Sequence, residues 1–156
     1  MSKLRTYFAV LTLVMSLHAY SESFTVNDIT YTILATSDAY EVKVTDCPTE
    51  MTEVSIPEKV TYNEQEYVVT AISFKNAQNN HFKRVFIPYT VREIGGVCFE
   101  RCTTLEEVVI PAHSKLTTLG THAFNACSSL KSSSIPDGVT EIPPLCFDGC
   151  TALEVS

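Results

Sequence analysis

Apolar residues return along this chain at two spacings. In four segments, Met51 to Pro57, Phe82 to Pro88, Leu105 to Pro111 and Leu130 to Pro136, the first and sixth positions are apolar. The fourth is apolar in three of them, as Val54, Val85 and Val108, and is Ser133 in the last. This pattern predicts short strands that bury one face. Each ends at a proline, which lacks the N–H that continued pairing needs. A fifth such segment begins at Leu153. Beyond each proline stands a second apolar signal: Val60, then Val91 with Ile94, Leu116 with Leu119, and Val139 with Ile142. It predicts a short extended segment, followed by a helical turn around each Phe-x-x-Cys.

The two signals belong to one repeating phrase. The run from Ile94 to Pro111 recurs from Leu119 to Pro136, and a third copy opens at Ile142. Phe99, Phe124 and Phe147 are 25 and 23 residues apart, as are Cys102, Cys127 and Cys150. A fixed period of this size means a stacked solenoid, in which no coil can bury its apolar face alone. The three phenylalanines are expected to form an internal ladder beside Leu105, Leu130 and Leu153. The first coil is longer, with 31 residues between Ile56 and Ile87. Within it Tyr62 to Tyr67 has a polar centre between tyrosines and predicts a protruding β-hairpin. Its lower half, Phe74 to His81, reads as having lost the Phe-x-x-Cys signature. Residues 22–50 stand outside the repeat. Phe24, Val26, Ile29, Tyr31 and Ile33 run near period two, and Tyr40, Val42 and Val44 do so cleanly, with a turn at Ala35 to Asp38 between them. One β-hairpin is expected there, capping a solenoid of residues 51–156.

The phrase Val-x-x-Ile-Gly-x-x-Cys/Ala-Phe-x-x-Cys-x-x-Leu-x-x-Val-x-Ile-Pro resembles that of the BspA-like leucine-rich-repeat family of secreted and surface proteins. The resemblance covers about Met51 to Ser156. It implies a leucine-rich-repeat right-handed solenoid with a parallel sheet on one face, short helical turns and a position outside the cell. It also implies adhesion or recognition, directed at host, matrix or partner-cell proteins, and it carries over no catalytic site. Ser133, Pro143-Pro144 after Ile142, and the irregular first coil depart from the phrase.

The first 21 residues have another character. Lys3 and Arg5 precede an apolar run from Tyr7 to Leu17, and Ala19-Tyr20-Ser21 offers small residues for cleavage. This is the layout of a secretory signal peptide cut after Ser21. Eleven residues fall short of the roughly 20 that span a membrane, so no membrane span is expected after cleavage. Loss of Lys3 and Arg5 takes the net charge from −7 to −9, which gives a nucleic-acid partner no electrostatic support.

Six cysteines in an exported chain ordinarily suggest disulfides. Here Cys102, Cys127 and Cys150 share one slot, and Cys98 and Cys146 share another that Ala123 fills in the middle coil. A slot that takes Cys or Ala reads as a buried free thiol. Bridges Cys102–Cys127 and Cys127–Cys150 remain open, since neighbouring coils lie about 4.8 Å apart. The pairs Cys98/Cys102 and Cys146/Cys150 sit two coils apart, roughly 10 Å, too far to share one zinc at about 2.3 Å per sulfur. Neither a metal nor another cofactor is expected. A Cys98–His122 nucleophile lacks a third residue to orient the imidazole, and no phosphate-binding or nucleophile-elbow motif is present. The sequence does not read as an enzyme.

The strand positions that point away from the core remain. Lys83, Glu106, Lys131 and Glu154 form one expected row, Arg84, Glu107 and Ser132 a second, and Phe86, Val109 and Ser134 a third. Opposite charges on neighbouring strands fix register at about 0.2–1 kcal/mol per pair, and Phe86 with Val109 supplies an exposed apolar centre for a protein ligand. The alternative is a structural repeat fragment of a longer surface protein without binding of its own. The uncovered strand at Leu153 to Ser156 also suggests end-to-end self-association.

Overall fold

A computed structural model describes residues 22–35, 40–75, 77 and 81–154, with the Ser133 side chain left out. The signal-peptide reading of residues 1–21 and most of the turn expected at 35–38 lie outside the described residues. The Ile-Pro segments form β4 (Glu53–Ser55), β7 (Arg84–Phe86), β9 (Glu107–Val109) and β11 (Ser132–Ser133), a parallel sheet in the order β11-β9-β7-β4. Val54, Val85 and Val108 lie opposite one another, pointing inward and buried.

A second sheet stands where the sequence predicts only short extended segments. The apolar pairs at spacing three place β8 (Glu93–Ile94) and β10 (Thr118–Leu119) parallel to the end of β6 (Gln65–Ile72). The chain turns between the two sheets at the prolines, whose carbonyls accept from Val91, Ser114 and Val139. The Phe-x-x-Cys segments are tandem turns and not helical ones. The amides of Cys102 and Leu105 donate to the carbonyls of Phe99 and Cys102, and the pattern repeats in the next two coils. Positive φ at Val97 (54°) and Arg101 (60°) keeps these turns from propagating as a helix.

Residues 23–46 form three strands in place of one hairpin: β1 (Ser23–Val26), β2 (Ile29–Ile33) and β3 (Glu41–Asp46), antiparallel in sequence order. Asn27 and Asp28, both at positive φ (49° and 63°), make the tight turn that splits the first arm. β3 then pairs in parallel with β6, which joins this antiparallel unit to the solenoid. The Tyr62–Tyr67 segment is a hairpin, β5 (Lys59–Tyr62) with β6, but it does not protrude freely. The Tyr62 ring stacks on Phe24 with centroids 4.2 Å apart, and Tyr67 meets the same ring at 5.5 Å. Its tyrosines are held because they cover an otherwise exposed edge of Phe24.

Down the axis runs the phenylalanine ladder. Phe99 stacks on Phe124 at 5.2 Å and Phe124 on Phe147 at 5.1 Å, nearly parallel. Phe74 extends it, edge-on to Phe99 at 5.4 Å. The first coil has nevertheless lost the Phe-x-x-Cys signature: Ala77 stands at the place of Phe99, since the Cys102 thiol meets the Ala77 carbonyl as that of Cys127 meets the Phe99 carbonyl. Coils approach most closely at Gly120, where a Cβ would lie 2.5 Å from the Gly95 carbonyl carbon and nearer still to the Gly96 nitrogen. Both neighbours are backbone and cannot swing aside. Gly120→Ala should therefore destabilise by about 3 kcal/mol, the strong end of overpacking. Gly96→Ala faces only the Thr121 carbonyl, at 3.2 Å, and should cost less. Urea melts of the two variants decide this, and a Gly120→Ala protein as stable as the parent would contradict the packing.

Candidate functional site

Period-two alternation within β4, β7, β9 and β11 turns two rows of side chains outward on either side of the buried valines. Glu53, Arg84, Glu107 and Ser132 form a polar row, and Ser55, Phe86 and Val109 form the other, in direct register. Arg84 is the hub. Its Nε donates to Glu107 at 2.9 Å, another nitrogen lies 3.5 Å from Glu53, and the guanidinium sits 5.1 Å over the Phe86 ring. Phe86 and Val109 are half-buried, not fully exposed, because Arg84 covers one and its neighbours flank the other. In the row just before the strands, Lys131 meets Glu106 at 2.6 Å, and this pairing holds the Glu106 carboxyl below its usual range. Lys83 is exposed and makes no ion pair among the described residues.

The sequence missed one neighbour of this face. Ile110, Pro111, Ser134, Ile135 and Pro136 line a shallow hollow of about 220 Å³ that continues the apolar row past Val109. Ile135 is 41% exposed, whereas its counterpart Ile110 is 8% exposed. Ser134 lies in this hollow and is exposed.

The thiols have a different role. Cys102, Cys127 and Cys150 donate from Sγ to the carbonyls of Ala77, Phe99 and Phe124 in the preceding coil, at 3.0–3.1 Å. All six sulfurs are free. Burial pushes the Cys98 and Cys102 thiols up to about 12 from an ordinary 9.0, and raises Cys127 further. Cys98 therefore holds essentially no thiolate at neutral pH, and the Cys98–His122 pair has no nucleophile. Among the described residues no three His, Cys, Asp or Glu side chains are grouped to hold a metal ion. No helix there is long and apolar enough to cross a membrane.

Comparison with known proteins addresses the repeat directly. The BspA-type leucine-rich-repeat region, in six copies, matches residues 70–155. The fold is similar to that of a leucine-rich cell surface protein from Faecalibacterium prausnitzii, with TM-score 0.75 and 31% identity over 85% of this chain. The match spans 35% of that protein's length. A leucine-rich-repeat protein from Bacteroides capillosus gives TM-score 0.74 and 28% identity, over 85% of this chain and 95% of its own. The leucine-rich-repeat protein of T. pallidum, at 22% identity, TM-score 0.61, and coverage of 85% of this chain and 69% of its own, shares the fold. A search of curated proteins by sequence finds no match.

Proposed function

The chain belongs to the BspA-type leucine-rich-repeat family, and from that premise we propose that it is an exported, non-enzymatic interaction module that holds a protein ligand on the outward face of β4, β7, β9 and β11. The observation that carries this reading is the row of Phe86 and Val109, framed by Arg84 between Glu53 and Glu107 and continued by the hollow at Ile135. A half-buried aromatic beside an arginine, ringed by polar groups, is the composition of an interface centre. A rigid parallel sheet holds it at fixed spacing. Export is supported by Lys3 and Arg5 ahead of the apolar run and by the small residues to Ser21. The surface location printed for the Faecalibacterium relative agrees with that direction.

The ligand class we favour is a surface or matrix protein, with adhesion or recognition as the outcome. The test uses the mature chain against immobilised extracellular-matrix proteins. Replacing Phe86 and Val109 together with serine should weaken binding about tenfold or more, as for a central anchor, while circular dichroism shows the fold retained. Binding unaffected by that double change but lost with Tyr40→Ser would move the site to the exposed tyrosine beside β3. Failure of the parent chain to bind any matrix protein would remove adhesion to matrix as the function.

A further inference from the structure

The sheet face assigned to the protein ligand has one cation left over. Arg84 is shared between Glu107 at 2.9 Å and Glu53 at 3.5 Å, and Lys131 holds Glu106 at 2.6 Å. Lys83 is exposed and has no ion-pair partner among the described residues. The register explains why. Lys83 stands in the row between Thr52, which is neutral, and Glu106, whose carboxylate is taken by Lys131. Lys131 is the main cause of the lowered Glu106 pKa, and Lys83 acts on it least. Both strands under this part of the face have paired neighbours, β4 beside β7 and β11 beside β9. The arrangement is therefore bounded on both sides and does not depend on what adjoins β11.

Lys83 and Phe86 are three residues apart on one strand, roughly 10 Å of extended chain. In an extended ligand, side chains two residues apart point the same way and stand roughly 7 Å apart. The flexible four-carbon stem of lysine spans the rest. The net charge of −7 favours a basic ligand at long range, but at physiological salt exposed charges are screened beyond about 8 Å. At short range the carboxylates of Glu53, Glu106 and Glu107 already meet cations, and the charge left unmet is that of Lys83. Resting on the reading of this face given above, we infer that its ligand is an extended acidic segment of a protein, with an aspartate or glutamate two residues from an aromatic or branched apolar side chain. The apolar side chain lies on Phe86 and Val109, and the carboxylate pairs with the Lys83 ammonium. Arg84 stays between Glu53 and Glu107 and keeps its cover over Phe86. A basic segment sets like charge against Lys83, and a wholly apolar one covers the ammonium without pairing it, so both bind less well.

Three blocked peptides serve as probes, Asp-Thr-Phe-Thr-Asp, Lys-Thr-Phe-Thr-Lys and Asp-Thr-Ser-Thr-Asp, each the same in either direction. Binding to the mature chain is read from NMR chemical shifts at about 0.15 M salt. The acidic aromatic peptide should bind with Kd of about 1 mM or below. The basic one should bind at least about fivefold more weakly, and the serine one should not bind. Lys83→Gln should remove the preference and Lys83→Glu should reverse it. Both change an exposed side chain and should melt like the parent. No binding of the acidic aromatic peptide, equal affinity for the first two peptides, or a preference unchanged by Lys83→Glu would each overturn the inference. The matrix-protein assay separates this failure from that of the face itself. Binding lost with Phe86 and Val109 changed to serine but intact with Lys83→Glu overturns the acidic ligand and leaves the face standing. Binding indifferent to the serine pair removes both.

Discussion

Above pH 9 the protein is expected to lose stability steeply, by about 5–6 kcal/mol per pH unit. The source is the four buried thiols of Cys47, Cys98, Cys102 and Cys127, which burial holds protonated to about pH 12 or beyond. In the unfolded chain they ionise near their ordinary 9.0. Below that value both states keep the protons and stability does not depend on these groups. Between 9 and 12 the unfolded state releases protons that the native state retains. Stability present at lower pH is then lost as pH rises, at about 1.4 kcal/mol per unit for each thiol. A domain of this size has about 5–15 kcal/mol in total, so unfolding is expected within one to three units. Buried Tyr31, pushed up to about 12 by desolvation, steepens the loss above its ordinary 10.0. Cys98→Ala should reduce the slope by about a quarter and fold normally, because Ala123 fills the equivalent slot in the next coil. Urea melts across this pH range measure it directly. A flat stability profile, or one unchanged by Cys98→Ala, would show that these thiols are not enclosed.

The same slot logic explains what could be read from the sequence. The four-stranded sheet was legible because each Ile-Pro strand repeats its inward valine at a fixed period. The second sheet was harder to see, since strands of two residues such as Glu93–Ile94 leave only an apolar pair and no alternation. The three-stranded start had a signal that was passed over. Val26 and Ile29 break the period of two, with Asn27-Asp28 between them, and that dipeptide makes the turn. Phe74 was hidden because it stands two residues after Ile72, where the next coil has Gly96 two residues after Ile94, so its ring reaches the ladder from a position that carries no side chain in that coil. For the candidate site, alternation alone placed Arg84, Phe86, Glu107 and Val109 outward. It could not show that one guanidinium bridges two strands and covers Phe86, because that depends on side-chain reach across the register.

Replacing Phe124 with alanine should destabilise by about 3–5 kcal/mol, the range for a buried phenylalanine. Phe124 is nearly inaccessible, and its ring is stacked on Phe99 and on Phe147, nearly parallel to both. Its removal opens a void between two rungs whose backbones are fixed by inter-coil hydrogen bonds, including Phe99 N–H to the Ala123 carbonyl. The void cannot close without breaking those bonds, so little of the loss is recovered by collapse. Among the described residues Phe147 has a stacked neighbour on one side, Phe124, and is half-buried. In a solenoid, stability is close to a sum of coil terms and nearest-neighbour interface terms. Phe147→Ala weakens one interface where Phe124→Ala weakens two, and should therefore cost clearly less. Equal losses at the two positions in urea melts would mean that the coils fold as one indivisible core and not as a stack.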